Sequence, residues 1–126
     1  MEVIATSRYV RMSPRKLRRV VELIRGKDYE MARNILSLTP KSASQALLGT
    51  MKSAASNAIS REGSSKIKIE NLFVKNAWID GGPVLKRIRA VGMGRAYRIR
   101  KKTAHISIVL AEKEAPVKSA VKAKEA

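Results

Sequence analysis

The spacing of apolar residues along this chain changes period several times, and each period predicts an element. Residues 3–11, VIATSRYVR, are rich in β-prone types and predict a first strand. In the following SPRKLRRVVELIRGK, Leu17, Val20, Val21 and Ile24 recur at i, i+3, i+4, i+7, the signature of one buried helix face. Ser13 stands at the N-cap position, and Pro14 at the first helical position, where a missing N–H costs nothing. Gly26 follows the last apolar residue, as a C′ glycine does. Asp28 predicts the cap of a second helix, YEMARNILSL, with Ala32, Ile35 and Leu36 as its stripe. A third helix starts from Thr39-Pro40 and runs toward Arg61. Its inward positions, Ala43, Ala46, Leu47, Thr50, Met51, Ala54 and Ala58, are mostly small. Small side chains let another element approach closely, so this helix is expected at the centre of the packing. Gly63 and the serines after it end the helix.

The period then shortens. IKIENLFVKNAWID, residues 67–80, predicts a second strand with an imperfect alternation around Asn71 that suggests a bulge. AHISIVL, residues 104–110, alternates cleanly: Ala104, Ile106, Ile108 and Leu110 face one way, His105, Ser107 and Val109 the other. After Leu110 comes AEKEAPVKSAVKAKEA, whose apolar content is too low for packing, and residues 111–126 are expected to be a disordered Ala/Lys/Glu tail. The chain has no internal repeat.

Between the last two strands lies GGPVLKRIRAVGMGRAYRIRKK, residues 81–102, with eight Lys or Arg and no acid. Connections in compact domains usually run to about 4–6 residues. If the flanking strands pair as an antiparallel hairpin and continue, a 67–110 pairing puts the midpoint near Ile88 and Arg89. Each arm is then about 20 residues, on the order of 65 Å at ~3.3 Å per residue. A domain of about 100 residues has a radius of gyration near 13 Å, so the distal half must project. Pro83, Val84, Leu85, Ile88, Val91 and Tyr97 interleave with the cations, and Gly81, Gly82, Gly92 and Gly94 permit positive φ or close backbone approach. Such a ribbon, marginal alone and crowded with like charge, needs negatively charged walls.

Charge strengthens this picture. The 126 residues carry 27 Lys or Arg against 10 Asp or Glu, a formal net charge of +17. A chain this basic is drawn to polyanions, nucleic acid first, through release of counterions from phosphate. The first helix adds Arg15, Lys16, Arg18 and Arg19 near its start, where the macrodipole disfavours positive charge; a partner that wants the charge explains the broken rule. Aromatics are only 4%, so the core must be aliphatic. No apolar run is long enough to span a bilayer, and MEVIATSRYV does not read as a secretory signal. Without cysteine there is no disulfide and no thiolate ligand or nucleophile.

Catalytic and metal chemistry find no support. His105 is the only histidine and lacks partners for catalysis or ligation, so it reads as a surface or RNA-facing residue. Trp78 reads as core or RNA packing. Gly92-Met93-Gly94 lacks the third glycine and the strand-to-helix setting of a dinucleotide loop. No cofactor and no enzymatic activity are expected. One competing reading is an architectural DNA-binding protein with a basic β-arm. That class works as dimers with a proline wedge in each arm, whereas Pro83 sits in mid-arm and no homo-oligomer surface is evident here.

SPRKLRRVVELIRGK, KSAASNA in the third helix, DGGPVLKR and GRAYRIRKKTAHISIVL together resemble the bacterial-type family of large-subunit ribosomal protein twenty-two, over roughly residues 1–110. The resemblance implies an α+β fold: three helices packed on a small antiparallel three-stranded sheet, with one long protruding β-hairpin at about 75–103. It implies a structural constituent of the large subunit, cytoplasmic and in the ribosome, that binds large-subunit rRNA early in assembly beside neighbouring ribosomal proteins. The hairpin would thread through rRNA, and its tip would line the nascent-peptide exit tunnel near the macrolide site. Expected rRNA contacts are Arg15, Lys16 and Arg18, then Lys86 and Arg87, then Arg95, Arg98, Lys101 and Lys102. Arg8, Arg11, Ser13, Arg19, Arg25, Lys27, Arg89 and Arg100 extend that set along the same basic stretches. The expected tunnel-wall residues are Arg87, Ile88, Arg89, Ala90, Val91, Gly92 and Met93. The chain departs from the family at this tip: Ala90-Val91-Gly92-Met93 stands where members commonly read Pro-Arg-Ala and one further residue. Gly81 also replaces a common acid.

Overall fold

The computed structural model describes residues 2–63 and 67–113. Strand β1 (Glu2–Val10) leads into helices α1 (Pro14–Ile24), α2 (Tyr29–Leu38) and α3 (Ser42–Glu62). A 3₁₀ turn (Ile69–Asn71) precedes β2 (Leu72–Gly81), β3 (Leu85–Val91), β4 (Arg95–Lys101) and β5 (Ala104–Glu112). The order β1-β5-β2 makes one antiparallel sheet, and β3-β4 a separate two-stranded ribbon. This is the expected α+β architecture.

The core lies between the sheet and the helices. Leu17, Val20, Val21 and Ile24 of α1 are buried, as their spacing requires. From α3, Ala43, Leu47, Thr50, Met51, Ala54, Ala55 and Ala58 are buried, and this helix touches β1, β5, α1 and α2. Its small side chains permit that central position. Ala104, Ile106, Ile108 and Leu110 of β5 are fully buried beneath it. Each large aliphatic side chain so removed from water contributes about 1.5–3 kcal/mol.

Several local expectations are corrected. The α3 helix opens at Ser42 after Lys41, because Pro40 holds Thr39 in extended backbone (φ −75°, ψ 120°) and Thr39 closes α2 instead. Its hydroxyl and amide both donate to the Ile35 carbonyl. Ser13 and Asp28 occupy N-cap positions without side-chain capping bonds. Asp28 instead pairs with Lys113 at 2.9 Å and bridges to Phe73.

The second strand begins at Leu72, since residues 69–71 turn with Asn71 N–H donating to the Lys68 carbonyl. The bulge sits at Lys75, where the register shifts between Val74 and Asn76. Its cause is legible: the buried residues Leu72 and Val74 have one parity, Ala77 and Ile79 the other, and one extra residue lets all four face the core. At the far end β5 continues to Glu112, and Lys113 N–H donates to the Asn71 carbonyl. Of the tail expected over 111–126, residues 111 and 112 instead complete β5, and residues 114–126 lie outside the described residues.

Candidate nucleic-acid interface

Gly81 pairs with Ala104 at the end of β2, but the ladder then breaks over 82–84 and 102–103 before β3 and β4 resume it. Two bonds hold this root: Gly82 N–H to the Thr103 carbonyl at 2.9 Å, and Thr103 hydroxyl to the Pro83 carbonyl at 2.6 Å. A Cβ on Gly82 would collide with Thr103 Oγ1, which explains the glycine. The projecting part is therefore shorter than a 65 Å arm, seven residues a side or roughly 23 Å.

The ribbon turns through Gly92, Met93 and Gly94, closed by the pair Val91–Arg95. Met93 (φ 65°) and Gly94 (φ 68°) are both left-handed. The tip thus lies at Met93, which is 95% exposed, and not at Ile88–Arg89. A pairing that began at residue 67 would turn near Ile88; the pairs begin at Leu72–Glu112, which moves the turn toward the C-terminus. Of the expected tunnel-wall residues, Gly92 and Met93 are in the turn, whereas Arg87 through Val91 form the outgoing strand.

Every residue of the ribbon is exposed except the half-buried Leu85 and Ile99. Directly paired residues share a face. One face carries Leu85–Lys101, Arg87–Ile99, Arg89–Tyr97 and Val91–Arg95, so each rung joins a cation to an apolar group. The other carries Lys86–Arg100, Ile88–Arg98 and Ala90–Ala96. Lys86 directly opposite Arg100 is a like-charge pair, which destabilises a sheet left on its own. Among the described residues the ion pairs are Lys75–Glu2 and Lys113–Asp28, and neither includes a ribbon cation.

On the body, Arg8, Arg11, Arg15, Lys16, Arg19 and Lys27 are exposed and Ser13 is half-buried. Arg18 and Arg25 are also exposed, and each bonds a main-chain carbonyl. Arg18 donates through Nε and Nη2 to the Ile79 carbonyl, and Arg25 likewise to Ala77 at 3.2 and 2.8 Å. These carbonyls lie on β2, an edge strand. Gly26 N–H and Lys27 carbonyl pair with Val74 farther along the same edge. Their guanidiniums thus close a sheet edge, a role their place in a basic run could not reveal.

Arg11, Lys16, Arg100, Lys101 and Lys102, distant in sequence, gather around one concavity with Ser42 at its rim. Ser42 lies in no basic run, and only the fold brings it to this lining. His105 also has a structural role: its Nδ1 accepts from Tyr9 N–H at 3.0 Å, and the rings meet edge-on at 4.9 Å. Tyr9 holds φ 59° inside the β1 irregularity between Ser7 and Val10, and the bond fixes it there. Among the described residues no cluster of His, Cys, Asp or Glu could hold a metal ion, and no helix is long and apolar enough to cross a membrane.

A small α+β body with a projecting ribbon whose charged residues are all cationic is the form of a basic protein suited to a polyanion. The model of the ribosomal protein L22p/L17e family matches residues 5–111. The large ribosomal subunit protein uL22 of Halothermothrix orenii is 47% identical over 114 residues, covering 90% of this chain and 98% of that one. The protein of that name from Thermus thermophilus is 47% identical over 113 residues, 90% and 97% of the two chains. That of Thermoanaerobacter sp. (strain X514) is 48% identical over 114 residues, 90% and 100%. The chain belongs to the L22p/L17e family of ribosomal proteins, a structural family and not an enzyme family.

Proposed function

We propose that this chain is a structural, rRNA-binding constituent of the large ribosomal subunit. The body docks on large-subunit rRNA through Arg8, Arg11, Arg15, Lys16, Arg19 and Lys27. The ribbon passes between rRNA segments, with Lys86, Arg87, Arg89, Arg95, Arg98, Arg100, Lys101 and Lys102 on phosphates. The Gly92–Gly94 turn reaches the wall of the nascent-peptide exit tunnel, where the growing peptide is its neighbour. Binding belongs to subunit assembly, beside neighbouring ribosomal proteins.

The observation that carries this reading is the Lys86–Arg100 rung in a ribbon without a single acid. Two strands that repel each other and bury almost nothing need an external polyanion to hold them straight. A DNA-binding β-arm fits less well: the turn has no proline wedge, Pro83 sits at the root, and the matching family is ribosomal.

Sedimentation of tagged protein from cell lysate tests the subunit assignment. Stable co-migration with the large subunit is expected, and migration only as free protein overturns it. A photo-crosslinker at position 93 tests the tip, with crosslinks to a stalled nascent chain expected and crosslinks confined to the subunit's outer surface fatal to the tunnel assignment.

A further inference from the structure

Two concavities meet where the hairpin root lies beside α1 and the start of α3. One, about 510 Å³, is walled by Arg11, Lys16, Arg100, Lys101 and Lys102. The other, about 230 Å³, is floored by Met12, Val20 and Ala43, with Arg19 and Lys41 beside it. Met12, Lys16 and Ser42 line both, so the two form one continuous notch. No acid lines either lobe. Cations brought from β1's end, α1 and the returning ribbon strand focus their field into the larger lobe.

The two lobes differ in chemistry. The larger is shallow and open and is bordered by cations, which suits a phosphate. The smaller is apolar on one side, chiefly the half-buried Met12 with Val20 and Ala43 almost wholly buried behind it, which suits the edge of a base or ribose. Together they have the volume of a site for a molecule of nucleotide size. An intact A-form duplex presents its phosphates on a convex surface and keeps its bases stacked inside; an unpaired nucleotide can offer both parts at once.

We propose that this notch at the hairpin root holds one unpaired rRNA nucleotide, its phosphate among Arg11, Lys16, Lys101 and Lys102 and its base or ribose against Met12, Val20 and Ala43. The inference rests on the rRNA-binding reading and adds to it Lys41 and Ser42, which bound the second lobe. It makes the notch a point of register: the ribbon can enter the RNA only where a strand departs from the duplex.

The test compares binding of the full-length chain to two RNA hairpins, identical except for a single-nucleotide bulge, and to large-subunit rRNA. The wild type should favour the bulged hairpin about tenfold. Ser42→Tyr, which places a ring at the junction of the lobes, should abolish that preference while leaving affinity for the perfect duplex within about twofold. Lys16→Gln with Lys102→Gln should make the log–log salt slope for rRNA shallower by about 1.4–1.8, and Lys52→Gln, on another face of α3, by half that or less. Far-ultraviolet circular dichroism establishes that each variant is folded, and loss of the bulge preference in the lysine pair tests the notch should Ser42→Tyr not fold. A retained bulge preference in folded Ser42→Tyr, or in the folded lysine pair, overturns the notch alone; an unchanged slope in the lysine pair also removes Lys16 and Lys102 from the phosphate contacts proposed above. Wild-type protein that binds no large-subunit rRNA overturns the rRNA reading itself. Crosslinks from position 42 to an acidic protein segment, in place of rRNA, would assign the notch to a protein.

Discussion

Arg18 donates through both Nε and Nη2 to one main-chain carbonyl, that of Ile79, at 3.3 and 3.0 Å. Arg25, two helical turns on, does the same for Ala77. The exposed carbonyls of an edge strand are a template for unwanted pairing, and here α1 covers them. Hydrogen bonds from charged donors contribute about 1.5–3 kcal/mol, less where water competes. Arg18→Ala and Arg25→Ala should each lower stability by ~1–2 kcal/mol in urea unfolding. Arg15→Gln and Arg19→Gln should leave stability within ~0.5 kcal/mol and weaken rRNA binding instead. Equal stability across all four variants would show that the clamps are idle.

The hairpin root makes a second prediction. Gly82 has no room for a methyl group beside Thr103 Oγ1, whose hydroxyl is bonded to the Pro83 carbonyl. Gly82→Ala should cost ~1–3 kcal/mol by overpacking. That lowers the thermal midpoint by at least about 4 °C in a domain of this size. Gly81→Ala, with open space at its Cβ position, should shift the midpoint by less than half as much.

Stability should also fall at alkaline pH for a specific reason. Tyr29 is buried at the start of α2, and burial raises its phenol above the ordinary 10.0, opposed in part by the nearby Arg33 charge. Above pH 10 the unfolded chain releases this proton more readily than the native one. Its contribution is therefore complete below pH 10 and is lost as pH rises through the folded value. The stability difference between wild type and Tyr29→Phe should be flat from pH 7 to 9.5 and move in favour of Phe above it. A difference that stays flat to pH 11.5 would contradict this.

The ribbon should be dispensable for folding, since β3 and β4 contact chiefly each other. Replacing residues 88–98 by Asn-Gly should leave the body's unfolding midpoint within about 3 °C. It removes Arg89, Arg95 and Arg98, so the salt slope for rRNA should become shallower by about 2–2.7. A body that fails to fold without the ribbon would show that the two are one cooperative unit.

Much of this was readable from periodicity alone. The α1 and β5 faces, the small-residue α3 and the Gly26 stop rest on local spacing, and local spacing decides which side of a helix or strand is apolar. The basic ribbon was legible for the same reason: eight cations without an acid need no tertiary context to be noticed. The family resemblance rode on those same strings.

What the sequence left open required knowing which strand pairs with which. The turn at Met93 follows from the Leu72–Glu112 register, and that register depends on a 3₁₀ turn ending at Asn71 and a bulge at Lys75. Arg18 and Arg25 could be told from Arg15 and Arg19 only once β2 was known to be an edge with α1 beside it. Lys41 and Ser42 joined Lys16 and Lys102 only when the fold set the hairpin root beside α1 and the start of α3. The linear chain determined its elements, its charge and its apolar faces, because these depend on neighbours a few residues apart. Tertiary structure decided which cations bond the protein's own carbonyls, because a guanidinium donates to whatever acceptor the fold brings within reach.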